Sequence, residues 1–121
     1  MKKIKVKIPI YDYEVTYIEV QDKRDKEKVL REMKRLKFSL ELINDVGKDI
    51  ENECMNGGDT FRNLDMKSFL VIIYPCKDEE TRRSVVGHEK RHVEDRLLQH
   101  CFVNDIEASG YLAGYLSRYI Y

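Results

Sequence analysis

The stretch Ser68-Phe69-Leu70-Val71-Ile72-Ile73-Tyr74 is apolar at nearly every position and rich in β-branched side chains. A half-exposed strand would show polar residues at every second place. An unbroken run closed by Pro75 instead reads as a central strand with both faces buried. The Asn56-Gly57-Gly58-Asp59 breaker precedes Thr60-Phe61-Arg62, and a turn follows around Asn63-Leu64-Asp65. Residues 58–63 are therefore expected to be the hairpin partner of the central strand. No Lys-Ser/Thr follows the glycine pair, so it reads as a turn and not as a phosphate loop.

The flanking segments supply the rest of the architecture. Ile4, Val6, Ile8 and Ile10 alternate with polar residues, Tyr13, Val15 and Tyr17 follow, and Pro9 with Tyr11-Asp12 interrupts. This pattern predicts two antiparallel strands, about 3–10 and 13–20, one of them at an edge. Val29, Leu30, Met33 and Leu36 mark a helix that starts between Asp22 and Asp25. Ser39 caps a second, weaker helical stripe through Leu40, Ile43, Val46 and Ile50. Asp78-Glu79-Glu80 places a capping carboxylate and acidic residues where a helix begins, and that helix should run from 79 to about 101. Asn104 or Asp105 caps a last helix that ends near Tyr121. Its small residues Ala108, Gly110, Ala113, Gly114 and Ser117 would let two helices approach closely. Tyr111, Tyr115 and Tyr119 form a separate stripe suited to core or rim packing. The order ββ-α-α-ββ-α-α predicts an α+β fold, and 121 residues fit one domain spanning 1–121.

Lys plus Arg and Asp plus Glu both number 22, so the net charge is zero. Residues 1–38 hold twelve basic and seven acidic side chains, which fits the solvated side of a strand and a helix. No basic stripe with interleaved aromatics points to nucleic acid. No apolar run approaches the roughly 20 residues of a membrane span, and the lysine-rich start lacks the apolar core of a signal peptide. Cys54, Cys76 and Cys101 match no metal or redox spacing, and Cys101 reads as a small buried apolar residue. A cytoplasmic protein with free thiols is expected.

Two of the three histidines lie in His88-Glu89-Lys90-Arg91-His92. On a helix, positions four apart share a face, so both imidazoles can grip one ion, and Glu89 can reach water bound to it. Zinc with catalytic work to do takes three protein ligands and leaves one corner for water. Asp95 lies beside His92 but is suited only to bracing a histidine ring, while Glu94 points away. His100 is roughly 12 Å along the axis from His92. Glu107 falls after a turn at residues 102–104, near the start of a helix that can fold back on the first. Glu107 is the expected third ligand and Asp105 the fallback.

His88-Glu89-x-x-His92 followed by Glu107 resembles the gluzincin zinc metallopeptidases. The tail Glu107-Ala108-Ser109-Gly110-Tyr111-Leu112-Ala113-Gly114-Tyr115-Leu116 is similar to the ends of short gluzincin-like proteins from bacteria and phages. The resemblance covers residues 58–121. It implies a small zincin-like domain, zinc on His88, His92 and Glu107, and Glu89 as general base for amide hydrolysis. It also implies a peptide or protein substrate extended along an edge strand, with Tyr111 or Tyr115 available as a second oxyanion donor. Tyr111 stands where larger members carry an acidic residue that braces a histidine. The alternative is a zinc-binding module of a phage or mobile element with little or no catalysis. The 118–121 tail could cover the site in a resting form.

Overall fold

The computed structural model describes residues 1–9, 11–101 and 106–121, with the side chains of 106 and 107 outside the description. Strands β1 (Lys2–Ile8) and β2 (Tyr13–Glu19) form the expected hairpin, turning through Asp12 at φ 56°. A short 3-10 turn leads into α1 (Lys26–Arg35), and α2 (Leu40–Glu51) follows. Ser39 caps α2 by accepting the Leu42 amide. Strand β3 (Gly58–Asn63) pairs antiparallel with β4 (Ser68–Ile73). Helix α3 (Glu79–His100) is capped by Asp78 through the Thr81 amide, and α4 (Ile106–Ser117) closes the described chain. Predicted elements and observed elements agree in kind and order. The end of the first strand at Ile10 and the cap of the last helix lie outside the described residues.

The sheet order is β1-β2-β4-β3, with β4 parallel to β2 and antiparallel to β3. Among the described residues the fold is thus α+β with a four-stranded mixed sheet. Every residue of β4 is buried, because helices cover both faces. Phe69, Val71 and Ile73 face Val86, Val93 and Leu97 of α3 and Leu112 and Leu116 of α4. Leu70 and Ile72 face Val29 and Met33 of α1 and Ile43, Val46 and Ile50 of α2. The period-two alternation of β4 divides two apolar clusters, one per face. No helix is long and apolar enough to cross a membrane among the described residues.

Helix α4 uses a different face from the one expected. A Cβ added at Gly110 or Gly114 would meet nothing within 4 Å, so these glycines do not seat a close helix crossing. Leu112, Leu116 and Ile120, one turn apart, carry the packing instead. The tail does not cover the histidines either. Ile120 is buried in the core, its carbonyl accepts from Lys90 Nζ at 3.0 Å, and the Tyr121 carbonyl accepts from Arg82 at 2.9 Å. Lys90 stands about 160° around α3 from His88 and His92, so the tail lies on the far side of the helix.

Candidate metal centre

Helix α3 lies across the sheet, and its residues divide by direction. Val86, Val93 and Leu97 point into the core, whereas His88 is exposed and His92 half-buried. Glu89 lies between these directions and is buried at 4% exposure. Its Oε2 accepts a hydrogen bond of 2.5 Å from the Thr60 hydroxyl of β3, and Thr60 Oγ1 also lies 3.3 Å from the Glu89 carbonyl. A buried carboxylate without a donor is costly, and Thr60 supplies that donor. Among the described residues Oε1 of Glu89 takes no hydrogen bond and keeps its acceptor capacity.

Gly58 explains how α3 comes so near to β3. A Cβ there would sit 2.9 Å from Glu89 Cγ, 2.9 Å from the Ile72 carbonyl oxygen and 3.1 Å from Val85 Cγ1. Gly57, at φ 68°, is the turn residue. Gly58 belongs to the strand, and its missing side chain is the space Glu89 fills.

The two imidazoles converge. His88 Nε2 and His92 Nε2 are 3.0 Å apart, with ring centroids at 4.6 Å and rings nearly perpendicular. Nitrogens this close share a proton or a cation. Two nitrogens bound to zinc at tetrahedral angles would be about 3.3 Å apart, close to the spacing present. One ligand atom from each of His88, Glu89 and His92 can be chosen so that all lie within 4.8 Å of one another. The residues present therefore fit a divalent cation held by the imidazole pair with a carboxylate beside it.

The other sequence candidates among the described residues are dispersed. The Glu107 side chain and Asp105 lie outside the described residues. Asp95 does not brace a histidine; it pairs with Arg91 at 3.2 Å, the nearer opposite charge on the exposed face. Glu94 is buried, which pushes its carboxyl above the ordinary range, and it is not part of the histidine cluster. The His100 ring packs edge-on against Tyr13 at 5.9 Å, far along α3 as expected. Cys101 is half-buried against the core. The Tyr115 hydroxyl donates to the Lys7 carbonyl of β1, at the opposite edge of the sheet from β3, so it serves no oxyanion here. Tyr111 and Tyr119 are exposed.

Sequence reading missed Thr60 and Arg96. Arg96 Nη1 donates to the Thr60 carbonyl at 2.6 Å, tying α3 to β3 one turn beyond His92. A threonine in a strand and an arginine on a helix carry no local signal of such a contact. Asp59 points to the other sheet face, where it accepts from the Tyr74 hydroxyl at 3.0 Å. Burial holds the Asp59 carboxyl above its ordinary range, with Glu89 and Asp49 adding to the effect against the Tyr74 hydrogen bond.

The sequence matches no protein-family model, and comparisons with curated proteins and with solved structures return no match.

Proposed function

We propose that the chain is a zinc-dependent amide hydrolase of zincin-like build that acts on peptides. The observation that carries this reading is the convergence of His88 Nε2 and His92 Nε2 at 3.0 Å beside the Thr60-anchored carboxylate of Glu89. His88 and His92 would hold the ion through their Nε2 atoms. When bound, zinc supplies Lewis acidity, lowering the pKa of water and polarising a carbonyl oxygen.

Glu89 has the proton-transfer role. Thr60 fixes Oε2, so Oε1 is the atom placed to take a proton from water and return it to a leaving amine. The arrangement separates the duties of neighbouring residues. The histidines face outward toward substrate and ion, and the carboxylate is rooted in the sheet. Strand β3 is the sheet edge beside this group and offers main-chain hydrogen bonds to an extended peptide.

Glu107 is proposed as the third protein ligand on its sequence position, in the first turn of α4 after the connection from α3.

The test is metal content together with turnover. Protein purified without chelator is expected to carry one zinc per chain. Glu89→Gln should keep the zinc and lower peptide turnover by about 10²–10⁴-fold. His92→Ala should lose both. Glu107→Ala should lose tight zinc binding, and unchanged affinity would assign the corner to another group. Metal-free protein at full purity, or undiminished turnover in Glu89→Gln, would refute the proposal.

A further inference from the structure

The open edge of β3 is already in use. Tyr74 N donates to the Gly57 carbonyl at 2.9 Å, so residues 57, 59, 61 and 63 face β4 in the antiparallel ladder. Gly58, Thr60 and Arg62 therefore turn their peptide groups outward, to the side where a further strand would add. Thr60 is the middle of the three, and its outward carbonyl holds Arg96 Nη1 at 2.6 Å. The guanidinium stands where the N–H of an added strand would stand.

Among the described residues Arg96 is also a cation without an anion. Arg35, Arg82, Arg83 and Arg91 each bind a carboxylate. Among the described residues no carboxylate pairs with Arg96, or with Arg62 on the same outward edge. A half-buried guanidinium spent on one neutral carbonyl has most of its donors to offer. Release from Thr60 would free it for a carboxylate, a stronger partner than an amide oxygen.

We infer that Arg96 is a placeholder on the β3 edge, and that the peptide which displaces it carries a carboxylate read by Arg96 and Arg62. The peptide N–H takes the Thr60 carbonyl, and the freed guanidinium turns to an acidic side chain of the same peptide. Arg96 is one turn, about 5.4 Å, beyond His92, and a strand rises about 3.3 Å per residue. The acidic residue therefore falls within about three residues of the bond presented to the histidines. This inference rests on the proposed binding of peptide along β3 and not on zinc or on hydrolysis.

The experiment measures binding to the Glu89→Gln protein, so that cleavage does not intervene. The probes are a fluorescent Val/Gln nonapeptide and a set in which a single Glu is moved through it position by position. Glu at the favoured position should tighten binding about tenfold, the worth of one charge-assisted hydrogen bond. Amide resonances of Gly58, Thr60 and Arg62 should shift on titration. Arg96→Met, which keeps the aliphatic stem, should weaken the Glu peptide about tenfold and tighten the all-Gln peptide a few-fold, because the Thr60 carbonyl is no longer occupied. Arg62→Met should weaken only the Glu peptides, and it supplies a second reading should Arg96→Met fold poorly. Equal affinity for Glu and Gln peptides, a preference that survives both substitutions, or no binding of any peptide would overturn the inference. Metal-free, inactive protein that still shows the crossed response would sink the hydrolase proposal alone. Hydrolysis with no acidic preference would sink this inference alone.

Discussion

At Gly58 a single absent atom sets the distance between the helix of the histidines and the sheet. Alanine there would place its Cβ 2.9 Å from both Glu89 Cγ and the Ile72 carbonyl oxygen. Moving the Glu89 side chain alone does not relieve the second contact, so β3 and α3 must separate. Gly58→Ala should cost roughly 1–3 kcal/mol, the usual penalty of overpacking. It should also lower turnover by loosening the Thr60–Glu89 hydrogen bond, while His88 and His92, one turn apart on the same helix, move together and keep their metal. Urea unfolding and zinc analysis check both parts, and an unchanged midpoint with full turnover would contradict the geometry. The sequence shows a Gly-Gly pair and so suggests a turn. That is right for Gly57, and Gly58 opens the strand expected over 58–63, but the close contact that demands a glycine there comes from Glu89 and Ile72, residues remote in sequence. His88, Glu89 and His92 are legible for the opposite reason, since their spacing on one helix contains their geometry.

Elements with a strong period or a cap were readable, and the faces they present were less so. Asp78 and Ser39 cap α3 and α2 where their residue types promised, because a cap is a local bond. Helix α4 has two candidate faces, a stripe of small residues and a stripe with Leu112 and Leu116, and sequence alone favoured the small one for packing. Burial of the leucines removes more apolar surface from water, and Gly110 and Gly114 are left exposed with open space around them. Glycine inside an exposed helix has only its entropic cost. Gly114→Ala should therefore stabilise the protein by about 0.4–1 kcal/mol, seen as a higher thermal midpoint. If these glycines seated a close helix crossing, the same change would destabilise, so the sign of the shift decides between the two faces.

Across the whole molecule, each helical layer is tied to the sheet by a shielded carboxylate. On one side Glu32 of α1 meets Arg35, Lys3 and Lys5, the lysines coming from β1. On the other, Glu19 at the end of β2 binds Arg82 of α3 and Lys2. Burial alone would raise both carboxyls. The hydrogen bonds and charges of Arg35 and Lys3 at Glu32, and of Arg82 and Lys2 at Glu19, outweigh it and hold both below the usual carboxylate range. Several lysines in the basic N-terminal third are thus half of these ties, beyond solvating a surface. A carboxyl with a lowered pKa in the folded state binds fewer protons there than when unfolded. Its stabilisation is complete above the unfolded value near 4.5 and disappears as pH falls through the folded value. Glu32→Gln and Glu19→Gln should each cost about 1.5–3 kcal/mol at neutral pH, the worth of a hydrogen bond to a charged group. That deficit should be smaller at about pH 3, below the unfolded carboxyl value, than at neutral pH. Urea titrations of both variants and the wild type at the two pH values measure it. A deficit equally large in acid would mean that the glutamates stabilise through shape and not through charge.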